Sequence, residues 1–297
     1  QFAARDQFLS MVFAPLTYRD GLRDIEACLR WNQHAYGMGF RGNITRTNLA
    51  YANFWRDWRV YEALARVLIR KARRLYADES DPLGLDGMVV AVDSSTIDLC
   101  LTLFPWADFR KTKAAVKIHT QMDLQGSIPL FIDVTKGREH DVSFLDRMPV
   151  VPGTIYVMDR GYLDFARLFG LVQAGAFFVI RAKRNLDFHV RESRRVAKDT
   201  GLRSDQTIRL GGPLSKERYP VSLRRVHFFD AETDKDLVFL SNNFSIPALT
   251  VAHVYQNRWQ IELFFKWIKQ NLRIKTFFGT SDNAVRTQIW IAVSTYL

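Results

Sequence analysis

Three acidic residues far apart in the chain are the ones that could do chemistry together: Asp93, Asp159 and Glu262, separated by 66 and 103 residues. Asp93 closes the apolar run Met-Val-Val-Ala-Val over residues 88–92, and Asp159 closes Thr-Ile-Tyr-Val-Met over residues 154–158. Singly, an Asp after such a run is weak, because Asp is also a favoured turn residue and helix cap. As a set they are the oxygen donors that phosphodiester chemistry uses, where two divalent ions about 4 Å apart activate the attacking oxygen and stabilise the leaving one. Such a site needs no His or Cys, and carboxylate oxygen suits Mg²⁺.

Glu262 lies in the second motif, residues 255–269, where Tyr255, Arg258, Glu262 and Lys269 are spaced by two, three and six intervening residues. Read as one helix at about 100° per residue, these four share a narrow arc, and Ile261, Phe264, Phe265, Ile268 and Leu272 fill the arc beside it. An ordinary salt-bridged surface explains a Glu between two cations equally well on these residues alone.

The elements that must position these groups follow from periodicity. Residues 1–80 read as helical, with apolar residues at three- and four-residue spacing over 8–13, 22–31 and 51–76, and glycines at 37, 39 and 42 breaking the run. The last segment carries Arg66, Arg70, Lys71, Arg73 and Arg74, either a solvated face whose cations suit the helix C-terminus or a DNA-binding region. Residues 78–87 read as a polar linker. Strands are expected at 88–93, 117–123, 128–134, 154–159 and 176–180, with a short helix at 140–146 and a longer one at 163–173. That alternation argues a mixed α/β sheet covered on both faces.

Residues 182–243 hold strand-like 224–229 and 236–240, and residues 183–235 carry 13 Lys and Arg against 8 Asp and Glu. The whole chain has net charge +11. A polyanionic partner is the natural inference, nucleic acid before membrane, since no apolar run is long enough to span a bilayer. Cys28 and Cys100 are isolated, without zinc spacing or a disulfide framework, so a reducing cytoplasmic setting is the default. The chain lacks an initiator Met and its last ten residues end inside an apolar run, so it reads as a fragment at both ends. His119 and His140 have no second ligand pattern. Asp98, Asp123, Asp133 and Asp141 are not selected by either motif, and Gly211-Gly212 lacks the Lys-Ser/Thr of a phosphate loop.

The Tyr-Arg-Glu-Lys spacing resembles the signature that closes the active site of DDE transposases in the insertion-sequence-4-like family. Val92-Asp93-Ser94-Ser95-Thr96 is similar to that family's first block, and Met158-Asp159-Arg160-Gly161-Tyr162 to its second. The resemblance implies an RNase H-like core, a five-stranded mixed sheet with helices, over 88–181 and 244–297. It also implies a mostly β, basic insertion over 182–243 lying against the transposon end, and a helical DNA-binding region over 1–80. Asp93, Asp159 and Glu262 would then be catalytic and bind two Mg²⁺, with Mn²⁺ able to substitute. Arg258 and Lys269 would hold DNA phosphates. Tyr255 would position a phosphate or simply pack at the helix base, and Trp259 and Lys266 are further candidates for contacting DNA. The implied function is cut-and-paste transposition on double-stranded DNA, inverted-repeat ends and target, by a homodimer. An RNase H-like nuclease without strand transfer and a catalytically inactive DNA-binding derivative are the alternatives.

Overall fold

The computed structural model describes residues 2–31, 34–76, 84–85, 87–271 and 277–297. The linker expected at 78–87 and the packing residue Leu272 fall wholly or largely outside them. Four helices come first: α1 (Ala4–Leu16), α2 (Leu22–Trp31), α3 (Arg46–Trp55) and α4 (Arg59–Leu75). The segment expected as one helix over 51–76 is two. Arg56 is extended at φ −75°, ψ 121°, and the Asp57 carboxylate accepts the Arg59 amide at 2.9 Å, which satisfies a free donor at the start of α4.

Next come β1 (Val89–Leu99), β2 (Asp108–Arg110), β3 (Lys113–Asp123), β4 (Ile128–Lys136) and β5 (Ile155–Met158). Helix α5 (Phe165–Gln173), capped by the Asp164 side chain, leads to β6 (Phe177–Arg181). Strands β7 (Phe188–Arg194), β8 (Leu202–Leu210), β9 (Leu223–Asp230) and β10 (Lys235–Ser241) follow, with the short helix α6 (Pro213–Arg218) between β8 and β9. The chain closes with α7 (Ala248–Asn257), α8 (Trp259–Asn271) and α9 (Asp282–Tyr296).

Among the described residues the strands make one mixed sheet of ten, where a five-stranded core followed by a mostly β insertion was expected. Strand β1 pairs parallel with β5, and β5 parallel with β6, while β3 runs antiparallel between β1 and β4. Beyond β6 the antiparallel run β10-β9-β8-β7 continues the same sheet edge to edge. The backbone groups on the free edge of β6 are thus satisfied by β10, where a separate appendage would leave them exposed.

Alternation along β1 divides the core. Val89, Ala91, Ile97 and Leu99 face one cluster, with α7, α8 and α9; Val90 and Val92 face the other, with α5. Helix α9 is buried along most of its length, which accounts for its apolar sequence. The N-terminal helices dock on it through polar contacts: Asn283 donates to the carbonyls of Asn53 and Arg56 at 2.9 and 2.8 Å and accepts the Trp58 amide at 3.2 Å. Trp58 also stacks on Trp290, their ring centroids 6.4 Å apart, whereas Trp55 is exposed.

Candidate active site

Parallel pairing of β1 with β5 ends at Val92 and Met158, so Asp93 and Asp159 are the next residues on two neighbouring strands. Side-by-side parallel strands that stop at one level bring the groups beyond them together. The two segments then differ. Asp159 leaves the sheet and opens a single turn of 3₁₀ helix at Arg160–Tyr162. Strand β1 runs on through Asp93 to Leu99, held by β3, so Asp93 sits within a strand and not at its tip.

The residues of the second motif meet these two acids from above. Arg258 donates from Nη1 to Asp93 Oδ2 at 2.8 Å and from Nη2 to Glu262 Oε1 at 2.7 Å. The Tyr255 hydroxyl donates to Asp159 Oδ1 at 3.3 Å. The motif is not one continuous helix. Arg258 is the junction between α7 and α8, which lets Tyr255 approach from one helix and Glu262 from the other. Tyr255 is buried, its ring tilted against Phe239 at 4.7 Å, so it both packs and donates. Ile261, Phe264, Phe265 and Ile268 are buried as the helical reading required. Lys269, two turns beyond Glu262, is exposed and makes no ion pair among the described residues; Trp259 and Lys266 are exposed as well.

Burial dominates the electrostatics. It pushes the Asp93 carboxyl up to about 6; Arg258 and the Ser94 amide act against that rise, while the charges of Glu262 and Asp159 add to it. Burial also works against the Arg258 charge, but Asp93, Tyr255 and Glu262 outweigh it and hold the guanidinium above its ordinary value. The three carboxyls offer oxygen donors only, the kind that a hard divalent cation takes. At present the positive charge between Asp93 and Glu262 is the guanidinium. Among the described residues no three His, Cys, Asp or Glu side chains gather closely enough to hold a metal ion.

Two connections lay beyond sequence reasoning. Ser94 donates from Oγ to Asp141 Oδ1 at 2.6 Å, on the sheet face opposite Asp93, and Lys117 Nζ reaches the same oxygen at 2.9 Å. Gln260, between Arg258 and Glu262, accepts from Ser127 Oγ at 2.7 Å, tying the β3–β4 turn to α8. Neither pairing has a spacing that could have announced it. His119 is a buried core group, its Nε2 2.9 Å from Thr135 Oγ1 and its ring stacked on Phe144. Cys28 and Cys100 are free thiols.

Cations outside the site are of two kinds. Arg70, Arg73 and Arg74 are exposed and line a cavity of about 550 Å³ between the end of α4, the start of β1 and the β3–β4 turn. In the strand-rich segment, by contrast, Arg224 is buried in a two-pronged pair with Asp205, both contacts at 2.9 Å, and donates to the carbonyls of Asn243 and Ile246. That cation braces the sheet and is not available to a partner.

The chain resembles known proteins over most of its length. Residues 84–297 match the family described as Transposase DDE domain, and residues 1–41 match a domain of unknown function (DUF4372). The chain belongs to the DDE-domain transposase family. It is 34% identical over 213 residues to the protein y4zB of Sinorhizobium fredii, named as a transposase, covering 70% of this chain and 59% of that one. It is 33% identical over 208 residues to the protein named as the transposase for insertion sequence element IS5377 of Geobacillus stearothermophilus, covering 69% and 54%. A Synechocystis protein named as a transposase for element IS4SA is 25% identical over 194 residues, covering 61% and 52%. The matched region thus spans between about half and three fifths of these relatives' lengths. No helix among the described residues is long and apolar enough to cross a membrane.

Proposed function

We propose that this chain is the catalytic part of an insertion-sequence transposase that cuts double-stranded DNA at the element's ends and joins the freed 3′-hydroxyl to target DNA. The observation that carries the reading is the hydrogen-bonded convergence of five residues from three distant segments: Asp93, Asp159, Tyr255, Arg258 and Glu262. The order β4-β3-β1-β5-β6, with β3 the reversed strand, supports an RNase H-like core. The IS4SA name of one relative fits the insertion-sequence-4-like assignment.

Asp93, Asp159 and Glu262 would hold two Mg²⁺, which when bound supply activation of the attacking oxygen and charge for the leaving one. Mn²⁺, equally tolerant of oxygen ligands, would substitute. The remaining groups act on the DNA. Once released from the two carboxylates, the Arg258 fork suits bidentate contact with a phosphate, and exposed Lys269 suits a point contact further along α8. The Arg70, Arg73 and Arg74 groove lies beside the β3–β4 turn that touches Gln260, so a bound backbone could continue from α8 towards the helical region 1–80. End pairing by two copies of the protein follows from the need to cut both ends together, and DNA in a bacterial cell places the work in the cytoplasm.

The test is a joining assay with end DNA, supercoiled target and Mg²⁺ or Mn²⁺. Joined product supports the proposal. Cut ends without joined product would favour a nuclease, and binding without any cutting would favour an inactive DNA-binding derivative.

A further inference from the structure

Ser94 follows the first proposed metal ligand directly and is the centre of a polar cluster that the reaction itself does not use. Its backbone N–H donates to Asp93 Oδ1 at 2.8 Å. Alternation along β1 sends its side chain to the opposite face, where Oγ donates to Asp141 Oδ1 at 2.6 Å. Lys117 shares that oxygen at 2.9 Å and donates to the Glu139 carbonyl at 2.6 Å, fixing the ammonium between the two. The start of the Asp141–Asp146 turn is thereby tied to the strand residue beside Asp93.

The second proposed ligand is held against the same cluster. Tyr162 ends the 3₁₀ turn that Asp159 opens, and its amide donates to the Asp159 carbonyl at 3.0 Å. Its side chain is buried, with the hydroxyl next to Ser94 but closing no hydrogen bond of good geometry. Asp93 and Asp159 would thus face the proposed metals, while Ser94, one residue after the first, and Tyr162, three after the second, meet at the back.

We infer that Ser94, Asp141 and Lys117, with Tyr162 packed against them, are positioning residues that set the carboxylates of Asp93 and Asp159 for metal binding. The inference rests on the phosphodiester reading above. A purely structural role is the alternative, but the Asp141 side chain is 42% exposed, and the largely buried Lys117 ammonium keeps the Glu139 carbonyl as a partner when Asp141 is changed, so the variants are expected to stay folded. Groups that orient metal ligands from behind usually matter more to the metal, with losses of about 10–100-fold in affinity when they are removed.

The experiment measures Mn²⁺ binding by electron paramagnetic resonance on the full chain without DNA, together with thermal midpoints. Asp141→Asn, which is nearly isosteric, and Ser94→Ala should each weaken Mn²⁺ binding about tenfold or more while remaining folded. Ser94→Thr, which keeps the hydroxyl, should restore it. Mn²⁺ binding within about twofold of the parent in both folded variants would overturn the inference and leave the transposase reading intact. Absence of Mn²⁺ binding by the parent itself would overturn both.

Discussion

Arg258 stands between Asp93 and Glu262 and hydrogen-bonds both, one nitrogen to each carboxylate. A single guanidinium therefore supplies positive charge where the proposed function would place divalent ions. The same fork cannot hold both carboxylates and a DNA phosphate at once. Under the proposed function, metal loading and phosphate capture by Arg258 would therefore be linked: ions that neutralise the carboxylates would free the arginine for the DNA.

The linkage predicts a stability change. Arg258→Gln leaves the largely buried Asp93 carboxylate without its cation, and the metal-free variant should lose about 1–3 kcal/mol. Saturating Mg²⁺ should recover much of the loss, because the ions replace the missing charge. Urea midpoints with and without Mg²⁺ measure this.

Glu262→Gln should abolish cutting and joining while leaving DNA binding within about threefold of the parent, since it removes a proposed metal ligand and no phosphate contact. Arg258→Ala should instead weaken binding. Parallel binding and joining assays separate the two variants, and equal loss of binding in both would count against the assignment.

Exposed cations beside the β3–β4 turn give a salt signature. Replacing Arg70, Arg73 and Arg74 by Gln should reduce the slope of log K against log salt for duplex DNA by about 2–3, because each phosphate contact contributes roughly 0.9. An unchanged slope would remove the groove from the DNA path. Replacing Arg224 should not act in this way, since its guanidinium is committed to Asp205.

His119 predicts acid sensitivity. Burial holds its pKa down to about 4, against an ordinary value of 6.5. The unfolded chain therefore takes up a proton that the folded one refuses. This contribution to stability is complete above pH 6.5 and is lost as pH falls towards 4, by at most about 3 kcal/mol. Asp93 works in the opposite sense, since its raised pKa favours proton uptake by the folded state between about 6 and 3.8. Comparing parent and His119→Gln by urea unfolding at pH 7.5 and 4.5 isolates the histidine: the variant should lose less stability on acidification.

The candidate residues were legible from acids that follow apolar runs and from the spacing of the second motif, although Asp93 lies inside β1 and the motif spans two helices. Arg258 meets Asp93 and Glu262, and Tyr255 meets Asp159, but among the described residues the three carboxylates do not gather closely enough to hold an ion; the core-facing residues of α8 are those that periodicity selects. Strand β7 escaped notice because it is an edge strand, exposed along most of its length, with no alternation to announce it. The break at Arg258 was invisible for a different reason. No Pro or Gly marks it, and Arg258 there is engaged by Asp93, an acid 165 residues away that local sequence cannot announce. Ser94, Asp141 and Lys117 belong to the same class, since their meeting joins two neighbouring strands to the turn at Asp141–Asp146. The extended sheet was hidden too, because pairing of β6 with β10 joins segments nearly 60 residues apart.

The most direct measurement is anomalous diffraction from crystals soaked with Mn²⁺, which locates the ions and Arg258 together. The account predicts manganese peaks among the carboxylates of Asp93, Asp159 and Glu262, with the guanidinium withdrawn from Asp93 and Glu262. Saturating Mn²⁺ with no peak at these residues, and Arg258 still bridging them, would contradict it.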